Sequence, residues 1–175
     1  MRAEPQQRGA DNGMSEHSNV EAFIAGLNYT MLIVTCRAED QRAGCLVGFS
    51  TQTSIDPPRF LVCLSRNNVT TKVAAQAEYL AVHQLSRDDV DLARLFGEHT
   101  AQDEDKFAQC AWTDGPHGVP ILDRAPAWMV GRILSIGDGG DHAEFLLEPV
   151  DGRRRVYARP LTLTDLPPLD PGQEA

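Results

Sequence analysis

The sequence predicts a mainly β protein with some α structure, an antiparallel barrel of Greek-key type with helices flanking it. Three observations carry this reading. About six runs have the length and the β-branched or aromatic content of strands. Many of these runs are neighbours in sequence, separated by turns, whereas a doubly wound parallel sheet would need a helix at each crossover. Only two segments carry clear helix signals. Antiparallel strands with few helices remove their edges most simply by closing into a barrel.

The elements follow in order. Residues 1–19 are rich in Gly, Gln and charge, offer nothing to bury and are expected to be disordered. A short helical piece, VEAFIAGL from Val20, leads into NYTMLIVTCRAED, where crowded β-branched residues read as a buried strand. Residues 41–44 turn the chain, and CLVGFSTQTS reads as the returning strand of a hairpin. Asp56-Pro57-Pro58 has to leave the sheet, because proline cannot donate to a ladder. RFLVCLS is the next strand, and Asn68 is then expected to cap a helix, VTTKVAAQA. EYLAVHQLS is another strand. Ser86-Arg87-Asp88-Asp89 resembles a capping box opening DVDLARLF, which Gly97 can close. HTAQDEDKF reads as a polar loop with a short helical turn. Two long strands follow near 126–136 and 142–150, joined by the Gly-rich turn GDGGD. One domain, 20–155, is therefore expected between a disordered segment 1–19 and an extended Pro-rich, acidic arm 156–175.

Sixteen basic against 25 acidic residues give a formal charge of −9, which argues against a nucleic-acid binder, since that would want a basic face. The first 19 residues hold no apolar core of a signal peptide, and the apolar runs are strand-sized, so no membrane span is expected. Cys36, Cys45, Cys63 and Cys110 form no C-x-x-C pair and have no nearby His in zinc spacing. They read as small core residues of a cytoplasmic protein, and no metal site is expected. His83, in mid-strand, reads as structural, His99 and His117 as loop residues, and Trp112 and Trp128 as core or interface anchors.

Two polar clusters stand apart from this framework. Ser65-Arg66-Asn67-Asn68-Val69-Thr70-Thr71 lies where a strand ends and a helix begins, a place where free amides and hydroxyl donors welcome an anion. Ser65, Asn68, Thr70 and Thr71 supply side-chain donors there. In GFSTQTS, Gly48, Ser50, Gln52 and Ser54 would face one way along a strand, with a close backbone approach at Gly48 and hydrogen-bonding groups beyond it.

Further short matches fall in a fixed order. Val34-Thr35 ends the first strand, Ala43-Gly44 turns, and Ser54-Ile55-Asp56-Pro57-Pro58 closes the hydroxyl-rich strand. Ser65 to Thr70 follows, then Tyr79 to Leu85, Asp91-Leu92-Ala93-Arg94-Leu95-Phe96, Lys106-Phe107, Gly118 to Leu122, and Gly140-Asp141-His142. Over about 20–150 this set resembles the flavin reductase-like family of FMN-binding split β-barrels. The resemblance implies a homodimer with FMN in a groove between barrel and partner, FAD being the alternative flavin, and NAD(P)H as co-substrate. It implies that Gly48, Phe49, Ser50, Thr51 and Gln52 run along the flavin and that Ser65, Asn68, Thr70 and Thr71 hold its phosphate. Asn28, Tyr29 and Phe107 would touch or pack near the flavin edge. His142 would lie where flavin and nicotinamide meet. The implied activity is an FMN-dependent oxidoreductase of the flavin reductase class, serving a second acceptor or a partner monooxygenase. The alternative is an FMN-binding carrier or sensor without NAD(P)H activity, motivated by the short basic stretch GRRRVYARPLTLTD.

Overall fold

A computed structural model describes residues 16–98 and 105–169. Helix α1 (Glu16–Ala25) is followed by strands β1 (Leu32–Ala38), β2 (Gln41–Val47), β3 (Ser50–Ser54) and β4 (Arg59–Ser65). Then come α2 (Val69–Ala74), β5 (Tyr79–Gln84) and α3 (Val90–Glu98). The small strands β6 (Trp112–Asp114) and β7 (Pro120–Leu122) precede the long strands β8 (Ala127–Asp138) and β9 (His142–Arg154).

Seven strands form one antiparallel sheet in the order β2-β1-β5-β8-β9-β4-β3, while β6 and β7 make a separate hairpin. The two edge strands, β2 and β3, are consecutive in sequence, with only Gly48 and Phe49 between them. The chain itself therefore bridges the two edges, and the sheet wraps into a split barrel. This corrects the expectation of one continuous strand through CLVGFSTQTS. The ladder to β1 ends at Val47, and beyond Gly48 the backbone pairs with β4 instead, beginning with Cys63 N–H donating to Phe49 O (2.9 Å).

Residues from β1, β2, β4, β5, β9 and α2 fill the barrel, among them Val34, Cys45, Val62, Leu80 and Phe145. Ile33 points out of the opposite face of β1 into a second core with Leu85, Phe96, Phe107 and Leu161, so β1 is covered on both sides. That double cover is what its run of β-branched residues announced.

Other expectations meet corrections. Helix α1 opens at Glu16, four residues ahead of the boundary expected at 20; residues 1–15 lie outside those described. Helix α3 runs through Gly97 to Glu98, and a Cβ at Gly97 would press on Leu46 (3.0 Å) and Leu169 (3.3 Å), so the glycine serves close packing and does not close the helix. Asp89 does take both the amide and the hydroxyl of Ser86, as a cap for α3. The C-terminal segment is docked along much of its described length. Leu161 is fully buried, Met31 N–H donates to Leu161 O, and Leu161 N–H donates to Leu85 O. A capping box between Thr162 and Asp165 and an Arg87–Asp165 ion pair fix the following turn. Hydrogen bonds from Arg87 and Thr162 hold the Asp165 carboxyl down to about 2. Among the described residues no helix is long and apolar enough to cross a membrane.

Candidate flavin site

The ends of β2, β4 and β9 meet at one side of the barrel mouth. Across β4 and β9, Ser65 lies directly opposite His142, so pairing joins two motifs that are 77 positions apart by number (142 − 65). Next to them is a cavity of about 440 Å³, within the ~300–1,000 Å³ usual for small-molecule and cofactor sites. Met31, Cys45, Leu46, Val47, Cys63 and Leu64 form its apolar floor. Tyr29, Gly48 and Phe49 form one wall, and Ser65, Asn68 and His142 give it a polar end. Ile24 and Ala25 of α1 and Leu27 just beyond it, with Leu163 of the docked C-terminal turn, complete its lining. The Phe49 ring stands edge-on to Tyr29 (5.2 Å between centroids) and tilts against His142 (5.1 Å).

Six of the residues expected at the site, Tyr29, Gly48, Phe49, Ser65, Asn68 and His142, thus come together here. Others are placed elsewhere. Ser50, Thr51 and Gln52 are on the exposed edge strand β3, and a register shift between Gln52 and Ser54 puts Ser54 out of phase with them. The Asn28 side chain accepts a hydrogen bond from Thr164 N–H (3.1 Å) and pins the C-terminal turn. Thr70 is fully buried, beside the Cys45 thiol, because the first turn of α2 lies against the barrel interior. Thr71 donates its hydroxyl proton to Ser65 O (2.5 Å), which ties α2 to β4. Phe107 is core, edge-on to both Phe96 and Trp112, and the neighbouring Lys106 is buried with its ammonium donating to Gly44 O and Phe96 O.

Asn68 does cap α2, its Oδ1 accepting from Thr70 N–H (3.0 Å). Replacing it with Ala is expected to lower the unfolding free energy by about 1 kcal/mol, readable by denaturant titration. With α2 only six residues long, a phosphate here would depend on side chains and local amides more than on a helix dipole.

The cavity fits a flavin on two counts. Its apolar lining is joined by the hydroxyl, amide and imidazole groups of Ser65, Asn68 and His142, the pairing that a heteroaromatic ring with a phosphate tail requires. At Gly48 a Cβ would sit in ordinary contact with Tyr29 (3.6 Å) and Met31 (3.7 Å), so the wall has room for little beyond a methyl group. Among the described residues no group of three His, Cys, Asp or Glu is placed to hold a metal ion. Burial pushes the Cys45 thiol up to about 11, so this lining thiol is an unreactive wall.

Fold and cavity together define a split-barrel protein with a pocket of cofactor size at its mouth. Residues 24–165 match the model of the flavin reductase like domain, and the chain belongs to that family. It is 33% identical over 119 residues to an FMN reductase (NADH) of Rhizobium rhizogenes, covering 68% of each chain. It is 29% identical to the 4-hydroxyphenylacetate 3-monooxygenase reductase component of Pseudomonas aeruginosa, over 85% of this chain and 82% of that one. Other curated relatives are longer: the chain spans 39% and 48% of the length of two of them. The crystal structure of a flavin reductase domain protein from Arthrobacter sp. FB24 superposes with a TM-score of 0.77 at 22% identity, over 86% of this chain and 92% of that one. That likeness concerns the fold.

Proposed function

We propose that the chain is an NAD(P)H-dependent flavin reductase that seats FMN in the Tyr29–Gly48–Phe49 cavity. The observation that carries this is the cavity itself, an apolar slot of about 440 Å³ with Ser65, Asn68 and His142 at one end, in a chain of this family. The names of relatives, FMN reductase (NADH) among them, support a nicotinamide donor. Bound FMN would take a hydride from the nicotinamide and pass electrons to a second acceptor. The protein's own part is binding and orientation. Gly48 and Phe49 flank the ring, Ser65 and Asn68 hold the phosphate end, His142 borders the nicotinamide, and the apolar floor excludes water. FAD would share the ring site, with its extra nucleotide outside.

The rim favours a homodimer. Phe23 (71% exposed), Ile24, Leu27, Phe49 and Leu163 leave an apolar margin around the cavity mouth that a second copy would cover. A partner monooxygenase is supported by relatives named as reductase components of such systems. The four free cysteines suit a reducing cytoplasm.

The test is the visible spectrum of FMN-saturated, desalted protein, repeated without oxygen after adding NADH or NADPH. A yellow band that bleaches with either nucleotide is the expected result. A band retained and unmoved by both would overturn the reductase reading in favour of a flavin carrier. If no flavin is retained, nucleotide consumption with free FMN present decides between a reductase that releases its flavin and a protein that never binds it.

A further inference from the structure

Arg66 is half-exposed and next to the proposed phosphate end, so it would ordinarily be counted as a ligand for that phosphate. Its hydrogen bonds go elsewhere. The main-chain N–H donates to Asp141 O (2.9 Å), Nε donates to Gly140 O (2.8 Å), and Nη2 donates to Asp138 Oδ1 (2.8 Å). All three fall on the turn between β8 and β9. Asp138 Oδ1 also accepts from Gly140 N–H (3.1 Å), and Gly139 N–H donates to His142 O (3.0 Å), which closes the hairpin. Gly140 holds φ near +89°, a conformation that glycine adopts without strain and other residues rarely do. The Arg66–Asp138 ion pair is exposed and contributes little energy by itself; the value of the contact is geometric.

What the turn carries is Asp141-His142. His142 Nδ1 lies 2.7 Å from Asp141 Oδ1, and the ring beside it keeps the Asp141 carboxyl below the usual carboxylate range. An ionised carboxylate can only accept, so the proton of this bond sits on Nδ1. In the neutral ring Nε2 is then an acceptor, matched to the N–H₂ of a nicotinamide carboxamide.

We propose that Arg66 is a positioning residue: it locks the turn 138–141 so that Asp141 holds Nδ1 of His142 and the Nε2 edge of the ring is turned toward the donor nucleotide. The inference rests on the flavin reductase reading for the identity of that donor. It also ties the polar end of the cavity together, since Arg66 follows Ser65, Asp141 precedes His142, and Ser65 pairs with His142 across β4 and β9.

The test uses Arg66→Ala and Arg66→Lys in the full chain. Nitrogen-15 NMR of His142, recorded without flavin, should show a single Nδ1–H tautomer in the native protein and a mixture in Arg66→Ala, with partial recovery in Arg66→Lys. In FMN-loaded protein, KM for the donor nucleotide should rise about tenfold in Arg66→Ala while the FMN dissociation constant changes less than about twofold. Asp138→Asn, at an exposed position, should move both readouts in the same direction and guards against a folding defect. An unchanged tautomer and KM would overturn the proposal. So would a loss of FMN affinity equal to the rise in KM, which would make Arg66 a flavin ligand. A native protein that retains no flavin and consumes no nucleotide with free FMN present would defeat the reductase reading, while the tautomer measurement would still decide whether Arg66 positions His142.

Discussion

Gly48→Leu is expected to weaken FMN binding by at least about a hundredfold, or roughly 2.7 kcal/mol. Gly48 is the hinge at which the chain leaves β2 and becomes β3, and it forms part of the cavity wall. A Cβ there would meet Tyr29 Cβ at 3.6 Å and the Met31 side chain at 3.7 and 3.8 Å, all ordinary contacts. Alanine therefore fits, and Gly48→Ala should change affinity by less than about threefold. Leucine adds three more carbons, which have to enter the slot between Tyr29, Met31 and Phe49. The position is half-buried and lies outside both strand ladders, so the barrel should tolerate the change. Flavin fluorescence quenching gives the dissociation constant, and a thermal melt of the flavin-free protein checks the fold. A Gly48→Leu protein that melts normally and binds FMN like the native chain would show that the flavin lies elsewhere.

Much of the fold was legible because it rests on local chemistry. The continuous apolar and β-branched runs of β1, β4 and β5, the Asn68 cap and the Asp56-Pro57-Pro58 exit all follow from what those residues can and cannot do. The break at Gly48-Phe49 was not legible, because a strand that changes neighbours keeps the same local pattern as one that does not. The site divided in the same way. Ser65, Asn68 and His142 announce themselves as polar groups at element ends. Thr70 and Thr71 have the same side-chain chemistry, and only the rotation of α2 against the barrel turns the first inward and spends the second on Ser65 O. The apolar floor of Cys45, Val47, Cys63 and Leu64 could not be told from core by sequence, since a wall waiting for a flat ring uses the residues that a core uses. Leu163 belongs to the lining because Leu161 is buried between Met31 and Leu85, a long-range packing fact hidden in a Pro-rich stretch.

The stability of the barrel is expected to fall by about 3 kcal/mol between neutral pH and pH 4 through one residue, His83. Its ring is fully buried between β1 and β7. Leu122 N–H donates to Nε2 (3.1 Å), so Nε2 carries no proton, and Nδ1–H donates to Ile33 O (3.1 Å). Both nitrogens are satisfied only in the neutral ring; protonation would set a second N–H against the Leu122 amide. Burial accordingly lowers the His83 pKa from 6.5 to about 4, with the Ile33 hydrogen bond opposing the shift. Between those values the unfolded chain binds a proton that the folded chain refuses. The contribution is thus complete above pH 6.5 and is lost as pH falls toward 4. Carboxylates with depressed pKa values, Asp91, Asp105 and Asp138 among them, also weaken the fold in acid, so the native curve alone cannot isolate the histidine. His83→Gln can, because a glutamine offers one donor and one acceptor but does not titrate. Unfolding free energies from urea titrations at pH 7, 5.5 and 4.5 should converge for the two proteins as pH falls, since only the native chain loses the histidine contribution. Parallel curves would mean that His83 is protonated in the folded barrel and that the Leu122 hydrogen bond is not what holds β7 against the sheet.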